Sequence, residues 1–260
     1  MKVMKWNGKR QMLLNGGLAL ILALLILLIH VASSESAPPL PEPGALLYVT
    51  TFDDFNDEWD LYRGKKSAQV EEGRLKVLLR MGVPNNTGAF SPLERLFSDF
   101  DMTVEATQLG GPDDNGYGVV FRHQDEEHFY QFLISGDGYY QITRSNGSDP
   151  LEDIVTLNEW RPTDLINLGQ DATNHIRIIG RGDTFRFFIN GHPLELCLGR
   201  NAITDSLGTP ICEGGELSYE LVDDTFSYGH LGVGAFTSVS GAGVHVGFDN
   251  MLVVGPEVED

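Results

Sequence analysis

Between Tyr48 and Val254 apolar and polar residues alternate in short runs, and turn-forming residues end almost every run. A period of two places successive side chains on opposite faces of an extended strand, so this pattern commits the region to half-buried β-strands. The clearest runs are Arg74–Arg80, Phe100–Thr107, Gly116–Arg122, Phe129–Ile134, Tyr139–Arg144, His175–Ile179, Thr184–Ile189, His230–Phe236 and Gly243–Val254. Between them stand Asp114-Asn115-Gly116, Gly136-Asp137-Gly138, Asn146-Gly147, Gly182-Asp183 and Asn190-Gly191. Asn-Gly supplies the positive φ that a two-residue turn needs, which makes FRFFINGHPLEL the best-specified hairpin. No stretch of this region sustains a helical period. The runs predict an all-β fold of two packed antiparallel sheets, with Val119, Phe121, Ile176, Ile178, Phe185, Phe187 and Ile189 facing the core.

Composition agrees with a folded chain: 42% of the 260 residues are hydrophobic, and 14 Phe, 8 Tyr and 3 Trp are far too many for a disordered one. The net charge is −19, and because Lys2, Lys5, Lys9 and Arg10 stand without an acid in the first ten residues, the remainder carries −23. Such a surface repels phosphate backbones and anionic lipid headgroups, which excludes nucleic acid as a partner.

Residues 12–32, MLLNGGLALILALLILLIHVA, have only Asn15 and His30 as polar side chains. Roughly 20 apolar residues cross a bilayer core as a helix. The basic residues of the 1–11 tail precede this segment and no further one follows until Arg63, so the expected orientation is N-terminus cytoplasmic and domain extracytoplasmic. The segment is read as a single-pass signal anchor of the cell membrane. A cleaved signal peptide is the alternative, but its apolar region would be shorter and Ala32-Ser33-Ser34 is a poor cleavage signal. Gly16-Gly17 would allow close packing against another membrane helix. Residues 33–46 form a Pro-rich spacer, 47–254 the sandwich domain, and 255–260 an acidic tail.

Cys197 and Cys212, the only cysteines, lie on the expected outer side, where a disulfide is permitted. Closing a loop of about 15 residues would contribute on the order of 3 kcal/mol. Two buried free thiols are the alternative. The span Leu196–Phe226 breaks the strand rhythm, holds both cysteines and ends near Asp223-Asp224. It reads as an insertion whose acids, Asp205, Glu213, Glu216, Glu220, Asp223 and Asp224, lie near few cations, and as a ligand- or partner-contacting feature.

Three stretches carry a family likeness: Gly111–Arg144, Ala172–Leu194 and Gly229–Val254, with their FR, YxFxI, FxxNG and FDN elements. Together they resemble a concanavalin A-like jelly roll, of the laminin-G-like and 3-keto-disaccharide-hydrolase-like kind. The resemblance covers Leu47 to Val254 and implies a two-sheet antiparallel jelly-roll sandwich. It implies three roles: a lectin-like module binding neutral glycans or glycoconjugates, a glycoside hydrolase or lyase of the 3-keto-disaccharide type, or a structural accessory subunit of a membrane-protein complex or surface assembly.

Sugar recognition asks for aromatic faces and for polar side chains that bond hydroxyls. Alternate spacing on neighbouring hairpin strands nominates Arg122, Gln131, Tyr140 and Arg144 for one outer sheet face. No cofactor is required, although Asp53, Asp54, Asp249 and Asn250 at the ends of the first and last strands would suit a structural Ca²⁺. Three motifs read as structure. Glu58-Trp59-Asp60-Leu61-Tyr62-Arg63 ends in Arg where a retaining glycosidase needs a carboxylate. His123 and His128 stand five apart across a turn rather than four apart on a helix. Arg181-Gly182-Asp183 suits a tight turn between strands.

Overall fold

The computed structural model describes residues 36–53, 58–82, 87–149, 153–199, 202–204, 210–237 and 242–257. The segment 12–32 and Asp54 lie outside them. No helix among the described residues is long and apolar enough to cross a membrane. The described chain is all-β and forms two large antiparallel sheets.

The six-stranded sheet runs Thr87–Phe97, Gly229–Thr237, Gly116–His123, His128–Ser135, Tyr139–Asn146, Ile154–Pro162. The other follows the path His192–Pro193, Thr184–Ile189, Thr173–Arg181, Phe100–Gly110, Val244–Val254, Arg74–Leu79, Lys66–Glu71. Leu46–Thr50 joins it by pairing with Val244–Val254, so the first and last long strands are neighbours. All nine alternating runs are strands, displaced at their ends by a few residues at most. The expected hairpin forms, with both Asn190 and Gly191 at positive φ.

The inward alternation builds an aromatic core between the sheets. Phe121 stacks on Tyr130 at 5.1 Å between centroids within its own sheet and meets Phe185 and Phe187 of the other at 5.1 and 6.0 Å. Such offset and edge-on contacts add to the area that large rings bury. All seven core residues expected from the pattern belong to this cluster.

The span Leu196–Phe226 is not a bare loop. Leu196–Leu198 pairs with Glu216–Ser218, Ala202–Thr204 pairs with Pro210–Cys212, and Leu221–Val222 extends the larger sheet at Thr184–Ile189. Cys197 and Cys212 are joined in a disulfide. Of the Pro-rich spacer, the described part is hydrogen-bonded to the domain: Ser98 Oγ donates to the Pro39 oxygen at 3.1 Å, and Gly44 N–H to Gly255 at 2.9 Å.

Candidate functional site

The four nominated ligand residues do not share a face. Strict alternation would turn Arg122 outward, opposite Phe121, but its φ of +50° bends the strand and turns the side chain between the sheets. There it is wholly buried, lying over Phe100 and Phe185. Its Nη2 donates to the Gly182 oxygen at 3.2 Å and stands 3.7 Å from Asp99. Burial, partly offset by Asp99, lowers its pKa to about 10. Arg144 also belongs to an inner network, pairing with Asp223, which accepts from the Tyr130 hydroxyl at 2.5 Å. The acids of the insertion are therefore not all without cations. Burial raises the Tyr130 pKa to about 12, with Asp223 adding to the rise. Gln131 alone of the four lies on the face away from the core, donating to Thr143 Oγ1 at 2.7 Å.

The turn motifs keep their structural roles. Asp125 Oδ1 accepts the N–H groups of Glu127 and His128 at 2.8 and 2.9 Å, closing the His123–His128 turn. Glu58 is paired with Arg95, while Trp59 is buried and donates to the Tyr48 hydroxyl at 2.9 Å. Gly182 N–H donates to Asp99 Oδ1 at 2.9 Å, holding the Arg181–Asp183 turn. Asp53 and Asp249 do lie near each other. Burial raises the Asp249 pKa, and the charges of Glu105 and Asp53 add to it, against Arg74 at 4.0 Å. Among the described residues no group of three or more His, Cys, Asp or Glu is arranged to hold a metal ion.

Tyr140 leads instead to a cleft at one end of the sandwich, with a volume of about 700 Å³. Its hydroxyl donates to the Glu195 main-chain oxygen at 2.5 Å, at the entry to the disulfide segment; burial raises its pKa well above the ordinary phenol value. One wall comes from Asp137, Gly138 and Tyr139; Tyr139 registers opposite Pro162 of the next strand, and Tyr140 opposite Arg161. Gly138 has φ +95°, and a Cβ there would stand 2.9 Å from Leu168 Cδ2, so the turn needs glycine. Glu195 borders the cleft just before the disulfide segment, and the segment itself supplies Tyr219. It is held by Asn158, whose buried amide oxygen accepts the Cys197 N–H at 2.8 Å.

Three apolar side chains stand open at this cleft: Tyr139, 37% exposed, Tyr219, 50%, and Leu168, 64%. Behind them lies Arg161, only 8% exposed, with Nη2 3.5 Å from Glu195 Oε2 and Nη1 without any hydrogen-bond partner. Leaving a buried donor unpaired costs roughly 1–3 kcal/mol, and Nη1 is sealed from the cleft itself. The cleft thus combines aromatic faces, aliphatic surface and the polar Arg161–Glu195 pair on one lining.

Sequence reasoning missed Arg161, Tyr139 and Tyr219. Arg161 sits on Ile154–Pro162, whose pairing with Tyr139–Asn146 shifts register twice, so its alternation is broken and the run does not read as a strand. Tyr139 precedes Tyr140, and opposite orientation of the pair was the available signal. Tyr219 lies inside the insertion singled out for contact.

No family model matches the chain, and no curated protein does. Solved structures do. The catalytic domain of an endo-1,3-beta-glucanase (laminarinase) from Thermotoga petrophila aligns with a TM-score of 0.51 and 10% identity over 84% of this chain and 100% of its own. The GH43 protein BlXynB from Bacillus licheniformis gives 0.51 and 10% over 80% of this chain, which spans only 39% of that protein. A carbohydrate-binding module, CBM66, from Bacillus subtilis gives 0.49 and 14%, over 76% and 95% of the two chains. The fold is a two-sheet antiparallel jelly-roll sandwich. Three adjacent inner strands of the six-stranded sheet, Gly116–His123, His128–Ser135 and Tyr139–Asn146, contain no Asp or Glu. A pair of carboxylates about 5 Å apart, as retaining hydrolysis uses, has no seat on them.

Proposed function

We propose that this protein is a lectin-like module that binds glycans lacking acidic groups, held on the outer side of a membrane by a helix over residues 12–32. The cleft carries the reading: two exposed tyrosines, Tyr139 and Tyr219, stand on one lining with the Arg161–Glu195 pair. Tyrosine faces suit the apolar faces of pyranose rings, and the paired Arg161 and Glu195 offer polar groups suited to sugar hydroxyls. A net charge of −19 disfavours sulfated or uronate-rich polymers. A glucanase domain among the similar folds agrees with a carbohydrate ligand. The anchor rests on the apolar run and the basic residues before it.

The test uses the full-length chain, kept in a detergent without a sugar headgroup, on affinity gels of immobilised polysaccharides. Retention on at least one non-acidic glycan is expected, weakened about tenfold by Tyr219→Ala or Arg161→Leu, equivalent to about 1.4 kcal/mol. Absence of retention on every glycan tried would overturn the reading.

A further inference from the structure

The described part of the Pro-rich spacer is fastened to the domain. Ser98 Oγ donates to the Pro39 oxygen at 3.1 Å, Gly44 N–H to the Gly255 oxygen at 2.9 Å, and Gly255 N–H to the Ala45 oxygen at 2.8 Å. Residues 33–38 are thus the only chain between the apolar run 12–32 and the first hydrogen-bonded residue. Six residues span about 20 Å at most when fully extended. A membrane anchor at 12–32 therefore keeps Pro39 within that reach of the bilayer.

The chain then enters the larger sheet at Leu46. Cross-strand partners share a face of their sheet. Leu46 registers with Val254 and Val49 with Leu252, while at the far margin Val222 registers with Thr184. Their sequence neighbours Tyr48, Val253 and Leu221 belong to the core, so these side chains point outward. Leu46 is 64% exposed, Val49 56%, Leu252 38% and Val222 65%. Between the two margins, Arg177 and Arg186 lie over Phe188 at 5.1 and 5.5 Å. Arg177 is bonded to Asp101 at 2.7 and 2.5 Å and still has 41% of its side chain exposed. Around one hollow Arg177, Arg181 and Arg186 balance Asp101, Glu220 and Glu257, so this face is close to neutral on a chain of net charge −19.

Resting on the anchor in the reading above, we propose that this outward face lies on the bilayer that holds the chain, against a zwitterionic phospholipid surface. Exposed aliphatic side chains suit the boundary between headgroups and acyl chains. Guanidinium groups suit lipid phosphates, and a locally neutral face escapes the repulsion that the rest of the surface exerts on anionic lipid. The short free stretch before Pro39 holds the face at the membrane.

For the test, the full-length chain is reconstituted in phosphatidylcholine vesicles that carry a nitroxide on a fraction of the lipid headgroups. A bimane fluorophore on Val49→Cys, Val222→Cys or Thr156→Cys reports contact with lipid, the native disulfide staying oxidised. Thr156 is exposed on Ile154–Pro162, the edge strand of the other sheet. Quenching at the Val49 and Val222 positions is expected to exceed that at Thr156 about threefold, because an interfacial face sits at headgroup depth. Leu46→Asp with Leu252→Asp should cut the quenching at Val222 by about half, since a carboxylate resists transfer out of water. If that double variant fails to fold, the three label positions in the otherwise unaltered chain decide. Equal quenching at all three positions in vesicle-bound chain would overturn the docked face and leave the anchor reading intact. Labels at Val49 and Val222 shielded from both the nitroxide and aqueous iodide would mark a second copy on the face and overturn it as well. Release of the chain from the vesicles by alkaline carbonate would overturn the anchor and the docked face together.

Discussion

The amide oxygen of Asn158 accepts the main-chain N–H of Cys197 at 2.8 Å, with both groups buried. One side chain thus fastens the start of the disulfide segment to the strand that carries Arg161. Without it, a buried N–H is stranded, at a cost of roughly 1–3 kcal/mol. Asn158→Ala is expected to lower unfolding free energy by that amount in urea and to weaken glycan retention, because Tyr219 and Glu195 ride on the released segment. Loss of stability with retention per folded molecule unchanged would show that the segment stays in place by its other contacts.

Replacing both Cys197 and Cys212 by Ser tests the same wall from its other end. The loop-closure argument assigns the bond about 3 kcal/mol. The Leu196–Leu198 and Glu216–Ser218 pairing still holds the segment against itself. The double variant is expected to fold, with a lower Tm and a fall in retention of about tenfold per folded molecule, about 1.4 kcal/mol. A collapsed melting point with full retention would make the bond a staple and nothing more.

Arg122 gives the opposite prediction. Its Nε and Nη1 find no acceptor, so the fold bears a poorly solvated charge whose removal relieves as much as it loses. Arg122→Met should leave unfolding free energy within about 1 kcal/mol of the original, or raise it. Glycan retention should not change. A selective loss of retention in a stable Arg122→Met protein would return Arg122 to the ligand set nominated from sequence.

The pH dependence has two windows. Burial, with the charge of His230 adding to it, holds the His123 pKa down at about 4. The fold therefore favours the neutral ring: its contribution is complete above the unfolded value of about 6.5 and drains away as pH falls toward the folded one, at a total of ~3 kcal/mol. Asp223 acts lower down. Burial would raise its carboxyl, yet hydrogen bonds from Tyr130 and Thr225 and the charge of Arg144 bring it below the usual range. Its contribution is present above about 3.9 and is lost as pH falls through the folded value. Urea midpoints between pH 7.5 and 4.5 should fall less steeply in His123→Phe, whose ring can keep the stack on Phe129 seen at 5.7 Å. An identical slope in both proteins would show that His123 is not held neutral by the fold.

The strands were legible because their alternation is local and their turns carry Asn-Gly or Gly-Asp-Gly chemistry. The seven predicted core residues follow from the same period. The site was not legible in that way. A single positive φ at Arg122 reverses the face that alternation assigns, and nothing in the residues around an arginine announces such a bend. Register shifts beside Ile142 hide the strand of Arg161. Tyr219 reaches the cleft only through the pairing of Leu196–Leu198 with Glu216–Ser218, a contact set by long-range geometry. The insertion itself stood out, because it interrupts the rhythm.

Leu46 registers with Val254, the two ends of one antiparallel pair. Tension drawn through both chain ends would therefore load that ladder at one edge and open its hydrogen bonds one after another, in the manner of a zip. Mechanically the domain is weak along this axis, however stable it is to heat. Handles attached before Leu46 and after Val254 should record a low unfolding force that begins with loss of the Leu46–Thr50 strand.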